Sequence, residues 1–243
     1  MTRVLVTGAS GGIGTAICSA LATRGARLVL HYQSGRAAAE ATRDALAGSG
    51  HVLVAGDLTA AAGVERLWCE ASAAAPIDAV VHNAGVFPNH PPLTTDYAAW
   101  TAAWQRTLAI NLTGPANLCW FAARSMAERG GGRIVSVSSR GAFRGEPLAP
   151  AYAASKAGLN AFSQSLAKAL APSGVYCFVV APGWVSTARV AAAVADPAVI
   201  ADQPLGRVAT PEEVARVVSF CVLDAPASMT GAILDVNGAS YLR

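Results

Sequence analysis

Val4-Leu5-Val6-Thr7-Gly8-Ala9-Ser10-Gly11-Gly12-Ile13-Gly14 carries an apolar run into a glycine-rich turn, and an unbroken helical stretch follows to about residue 24. A short β-branched run, a tight turn and an immediate helix make a strand–turn–helix unit. Glycines at 8, 12 and 14 let the main chain turn sharply and approach a pyrophosphate, which then rests on the N–H groups at the helix start. Ser10, Gly11 and Ile13 complete the turn, whose spacing is G-x-x-x-G-x-G. In this context such a turn predicts a nucleotide-binding site.

The alternation continues along the chain. Runs at 4–7, 27–31, 51–55, 79–82, 134–138, 175–180 and 232–235 predict strands, and stretches at 12–24, 35–47, 60–74, 95–128, 151–171 and 211–223 predict helices. Continuously apolar strands separated by helices imply an α/β fold: a Rossmann-type doubly wound parallel sheet of about seven strands, with helices on both faces. Thr210-Pro211-Glu212-Glu213 reads as a helix start, with Thr as cap, Pro in the first turn and Glu three residues on. No linker, repeat or low-complexity segment divides the 243 residues, so one domain spanning 1–243 is expected.

The totals exclude several functions. The net charge of +3 comes from scattered arginines rather than a basic stripe, which argues against nucleic acid. No window offers the roughly 18 apolar residues of a membrane span. The opening apolar run is too short for a signal peptide, so a cytoplasmic location is expected. Five cysteines, odd in number and without a Cys-x-x-Cys pair, read as reduced core residues. Neither they nor the four histidines show metal-ligand spacing. Apolar residues at 53% against 14% charged predict burial between subunits.

Chemistry enters at Ala149-Pro150-Ala151-Tyr152-Ala153-Ala154-Ser155-Lys156-Ala157-Gly158-Leu159. Tyr152 and Lys156 stand four apart on one helix face, about a turn from each other. A phenol titrates near 10, and a neighbouring cation favours the phenolate, which makes it a usable acid nearer neutral pH. The chain has two lysines against 16 arginines, so a lysine kept here suggests a need for a compact, titratable ammonium.

With the glycine turn and Tyr152-x-x-x-Lys156, the sequence resembles the short-chain dehydrogenases/reductases over essentially its whole length. Four further matches arrive in family order: Asp57-Leu58 after the third strand, Asn83-Ala84-Gly85 after the fourth, Asn111 with Ser139, and Pro182-Gly183-Trp184-Val185-Ser186-Thr187 after the sixth. His82 stands where many members carry Asn. The resemblance implies hydride transfer between a nicotinamide and a carbonyl carbon. Tyr152 would then be the general acid, Ser139 would hydrogen-bond the carbonyl oxygen, and Lys156 would lower the Tyr pKa and hold the ribose. Asn111 would anchor a water relay. Gly8, Ser10, Gly11, Gly12, Ile13 and Gly14 would cradle the phosphates. Asp57, with Leu58 beside it, would contact the adenine ring, Asn83, Ala84 and Gly85 would also bind the cofactor, and Pro182, Gly183, Val185 and Thr187 would close over the nicotinamide.

The second strand ends Leu30-His31-Tyr32-Gln33-Ser34-Gly35-Arg36, with no acid to bind a ribose 2′-hydroxyl. Ser34 and Arg36 suit a 2′-phosphate instead, so NADP(H) is expected over NAD(H). Gly11 departs from the Arg or Lys that many NADP-preferring relatives carry there. Segments 140–150 and 184–204 should flank the substrate, the second as a lid. The ending Val236-Asn237-Gly238-Ala239-Ser240-Tyr241 is similar to 3-oxoacyl-carrier-protein reductases, with Arg129 and Arg133 expected at the pocket rim to meet an acidic carrier. The resemblance thus implies a small or carrier-bound carbonyl substrate and a homotetramer. An alcohol, sugar or steroid dehydrogenase stands as the alternative, and a non-catalytic nucleotide sensor as the remote one.

Overall fold

Side-chain alternation along the first strand sets up both layers. In β1 (Arg3–Val6), Val4 and Val6 point into one apolar cluster and Leu5 into the other, all fully buried. The computed structural model describes residues 1–243 apart from the side chain of Ala193. Seven parallel strands follow the order β3-β2-β1-β4-β5-β6-β7, the others being β2 (Arg27–Tyr32), β3 (Val52–Ala55), β4 (Ala79–His82), β5 (Gly132–Val137), β6 (Val175–Pro182) and β7 (Ile233–Val236). The expected doubly wound sheet is present, with each strand within two residues of its expected limits.

Helices α1 (Gly12–Thr23), α2 (Arg36–Asp44) and α3 (Ala61–Ser72) alternate with the first strands. α1 brings Ile17 and Leu21 against Val6, Leu30 and Phe178 in one cluster. Leu67 and Trp68 of α3 join Leu118 and Met126 beneath Leu5, Val80 and Ile134 in the other. Each such fully buried side chain contributes about 1.5–3 kcal/mol.

The helix expected over 95–128 is divided. Its pieces are α4 (Tyr97–Leu108), a π-helical turn over Ala109–Thr113, and α5 (Gly114–Glu128). Pro115 has no N–H to give the carbonyl of Asn111, and the ladder widens to absorb the lost bond. That widened turn holds Asn111 fully buried.

After β5 come the short α6 (Gly141–Arg144) and the 21-residue α7 (Pro150–Leu170). The first turn of α7 is pinned from a distant loop. His90 Nε2 accepts the Ala151 N–H at 3.1 Å, and its Nδ1–H donates to the Pro88 carbonyl at 2.8 Å. Beyond β6 the chain leaves the sheet, forms α8 (Ala191–Val194) and α9 (Pro197–Ala201), and returns where Val185 bridges Ala209. α10 (Pro211–Leu223) begins with the expected capping box: Thr210 Oγ accepts from Glu213 N, and the Glu213 carboxylate accepts from Thr210 N. Among the cysteines, Cys69 is exposed and the other four are buried, which corrects the expectation that all five belong to the core. Cys69 lies on the outward side of α3, next to the buried Trp68.

Candidate active site

The strand order reverses between β1 and β4, and the crevice beyond the strand ends at that point is where such sheets bind ligands. Two loops are tied together there. Thr7 Oγ1 accepts the N–H groups of Asn83 at 3.0 Å and Ala84 at 3.1 Å, while Asn83 Nδ2 donates to the Thr7 and Gly8 carbonyls at 3.1 and 3.0 Å. Gly8 has φ +64°, and a Cβ on it would lie 2.9 Å from Ala84 Cα, so no other residue fits the turn. His31 braces it from below. Its Nδ1 accepts from Gly8 N at 3.2 Å and its Nε2–H donates to the Gly56 carbonyl at 3.1 Å. Burial holds this imidazole below its usual pKa, which keeps it neutral and able to accept.

The turn faces a cavity of about 680 Å³ that runs from Ser34 and Gly35 at the end of β2 to Tyr152 and Trp184. Gly11, the N-cap of α1, offers no side chain, and Gly12, Ile13 and Gly14 line the cavity with their first-turn N–H groups. Uncapped donors at a helix start suit an anionic phosphate, and the volume suits a nucleotide. Of the residues expected to hold a cofactor, Gly8, Ser10, Gly11, Gly12, Ile13, Gly14, Ser34, Leu58, Asn83, Ala84, Gly85, Pro182, Gly183, Val185 and Thr187 all line this cavity. Two do not. Arg36 turns back along α2 to Glu40 at 2.9 Å, and Asp57 caps Thr59 with its carboxylate.

Ser139, Tyr152 and Lys156 meet at the far end of the cavity. Ser139 Oγ accepts from Gly141 N at 3.0 Å, and its hydroxyl acts on the neighbouring Tyr152 phenol. Phe87 packs edge-on against the phenol ring at 4.6 Å. Lys156 is buried, and its Nζ donates to the Val137 carbonyl at 2.8 Å. Asn111 Oδ1 accepts from Val86 N at 2.9 Å, and its Nδ2 donates to Val86 O and to Ser155 Oγ at 3.0 and 3.1 Å. Both amide hydrogens are therefore committed, which leaves only an acceptor lone pair for any relay.

The electrostatics correct one expectation. Burial dominates Tyr152 and raises its pKa; the Ser139 hydrogen bond and the Arg189 guanidinium pull it down, and Glu146 adds to the rise. Lys156 stands one helical turn on from the phenol. Its ammonium lies 5.8 Å from the phenol ring centre and is spent on a main-chain carbonyl. Burial, with Arg189 adding repulsion, brings Lys156 itself down to about 8.

Arg129 and Arg133 are also misplaced by the sequence reading. Arg129 pairs with Asp78 at 2.9 Å, just before β4, and Arg133 at the start of β5 donates to the Cys221 carbonyl at 2.8 Å. Both sit where the parallel strands begin, whereas the cavity opens where they end. Arg140, Glu146, Phe87 and Arg189 are cavity residues that no motif marked. The presence of charged residues in the expected 140–150 and 184–204 flanks hinted at Arg140, Glu146 and Arg189, and no sequence signal pointed to Phe87.

Residues 8–239 match the family model described as enoyl-(acyl carrier protein) reductase. The chain belongs to the short-chain dehydrogenase/reductase family of oxidoreductases. It is 39% identical over 239 residues to the cis-4-hydroxycyclohexanecarboxylate dehydrogenase of Sinomonas cyclohexanicum, covering 96% of this chain and 94% of that one. It is 34% identical to the 3-oxoacyl-[acyl-carrier-protein] reductase of Escherichia coli, covering 98% and 96%. Among solved structures, the 3-oxoacyl (acyl-carrier-protein) reductase of Agrobacterium tumefaciens C58 with NADP bound superposes with a TM-score of 0.89 at 32% identity, covering 98% of this chain and 93% of that one.

Proposed function

We propose that this protein interconverts a ketone and a secondary alcohol with NADP(H) as hydride carrier. The observation that carries the reading is that Ser139, Tyr152 and buried Lys156 line the same cavity onto which the uncapped start of α1 opens. When bound, NADPH supplies the hydride. Tyr152 donates its proton to the oxygen that becomes the alcohol, and Ser139 hydrogen-bonds that oxygen as charge builds on it. Lys156, fixed by the Val137 carbonyl, orients the ribose and passes a proton toward the phenol. Asn111 holds the Val86 main chain and Ser155 beneath them.

NADP(H) is favoured over NAD(H) because no carboxylate ends β2 and Ser34 lines the cavity there. Arg36 can join by leaving Glu40, an exposed pair of small energetic weight. The A. tumefaciens relative, solved with NADP, supports this choice. A 3-oxoacyl thioester is the substrate that the reductase relatives support. The cyclohexanecarboxylate relative supports a second reading, a cyclic ketone bearing a carboxylate. Exposed Leu93, Tyr97 and Trp120, on and beside α4 and α5, support assembly as a homotetramer through that region.

The test is turnover of NADPH and NADH with an acetoacetyl thioester and with 4-oxocyclohexanecarboxylate. Tyr152→Phe is expected to abolish turnover while NADPH binding, followed by fluorescence, survives. Near-normal turnover by that variant would contradict the assignment.

A further inference from the structure

Arg140 follows Ser139 directly and lines the same cavity, yet only 4% of its surface is exposed. Its Nη1 is buried with no hydrogen-bond partner among the described residues. The carboxylate nearest to it, Asp202, holds Oδ2 3.9 Å away, outside hydrogen-bond range. Asp202 is itself exposed and lies closer to Arg144, at 3.4 Å. Glu146 and Arg144 act on Arg140 only through space, with opposite signs. A buried guanidinium is ordinarily paired, because an unpaired charge loses its hydration without compensation. Arg140 also lines the cavity beside Ser139, with only Asp202 at 3.9 Å and the more distant Glu146 to offset its charge and no side-chain hydrogen bond to either, so a ligand carboxylate entering that cavity would complete its pairing.

We propose that Arg140 receives a carboxylate carried by the substrate, so that the ketone reduced here is an oxo-carboxylate rather than a neutral acyl thioester. The inference rests on the oxidoreductase reading above. Its basis is steric and electrostatic: the planar guanidinium presents paired donors that match a carboxylate. An uncharged acyl chain in the same place would bury the cation further without satisfying it. Lys156 and Arg189 add positive charge to the cavity, against Glu146.

The test pairs 4-oxocyclohexanecarboxylate with its methyl ester, using NADPH and the full-length protein. The wild type is expected to favour the acid in kcat/KM by at least ~30-fold, the low end for removing one partner of a buried charge pair. Arg140→Met should collapse that ratio, and Asp202→Asn should keep it. Equal use of acid and ester by the wild type, or an unchanged ratio in Arg140→Met, would overturn the proposal. So would collapse of the ratio in Asp202→Asn, which would make the Arg140–Asp202 contact the purpose of the residue. Calorimetry with cyclohexanecarboxylate, which has no carbonyl to reduce, reads the anion site separately. Binding by the wild type and not by Arg140→Met supports the site even if every ketone fails, an outcome that would sink only the oxidoreductase reading. Equal or absent binding in both proteins counts against it.

Discussion

Replacing Lys156 by methionine separates what the ammonium does for chemistry from what it costs the fold. The side chain is buried, and its pKa is brought from 10.5 to about 8, chiefly by loss of hydration. At about 1.4 kcal/mol per tenfold change in proton affinity, the charged form costs the folded state about 3 kcal/mol below pH 8. Between pH 8 and 10.5 the folded protein has released this proton while the unfolded chain still holds it. The unfolded state then binds more protons, so stability rises with pH across that window. Methionine has no such dependence. It also leaves the Val137 carbonyl without its 2.8 Å donor, a loss of about 1–3 kcal/mol that is the same at every pH. The two proteins should therefore have similar stability near pH 7, with the wild type gaining about 3 kcal/mol over the variant by about pH 10.5.

The difference between the proteins is the quantity to measure, because other groups titrate in the same range. Burial pushes Cys18 and Cys177 up to about 12 and Cys221 to about 11, so the folded state keeps thiol protons that the unfolded chain loses above pH 9. Those cysteines lower stability as pH rises, the opposite sign to Lys156, and they cancel in the subtraction. Urea unfolding at fixed protein concentration, followed by circular dichroism at about pH 7 and about pH 10.5, gives both curves. A difference that stays flat would mean that Lys156 titrates as a solvated lysine, and the buried ammonium would be wrong. Turnover should be lost in the variant at every pH.

Two other perturbations probe the supports of the site. A Cβ at Gly14 would lie 2.2 Å from the Gly8 carbonyl of the turn and 2.8 Å from Asn83 Nδ2, the side chain that ties the turn to the loop after β4. Gly14→Ala should therefore weaken NADPH binding by at least tenfold in a fluorescence titration, and wild-type affinity would refute the cradle. His82 is buried, with Nε2 against Cys119 Sγ at 3.0 Å and Nδ1 unpartnered, and burial brings it down to about 3. As pH falls below 6.5 the unfolded chain takes up a proton that the folded imidazole refuses, so stability is lost on acidification toward pH 3. His82→Asn should flatten that acid limb in urea titrations by as much as about 5 kcal/mol, and an unchanged slope would place the acid sensitivity elsewhere.

The local and periodic features were legible in the sequence. Runs of Val, Leu and Ile spaced by Ala-rich helices specify a parallel sheet with both faces covered, and the glycine spacing after β1 specifies where a phosphate can approach. Tyr152 and Lys156 could be placed together because a helix fixes residues four apart on one face. Ser139 and Asn111 were legible only through the family's order of motifs, not through any periodicity of their own. The break at Ala109–Thr113 was readable in principle from Gly114-Pro115, yet the flanking apolar pattern runs across it without a change of period.

What the tertiary structure alone decided is which charges share a desolvated space. Burial raises the Tyr152 pKa, with Ser139, Glu146 and Arg189 adjusting it, and the Lys156 ammonium is held by the Val137 carbonyl, a residue brought near by the sheet. Arg140 and Glu146 enter the cavity while Arg129 and Arg133 lie at the opposite end of the strands, although all four are equally plain in the sequence. Chain periodicity sets which face a residue takes on its own element. Burial and charge pairing depend on which other elements pack against that face, and those come from residues far away in the chain.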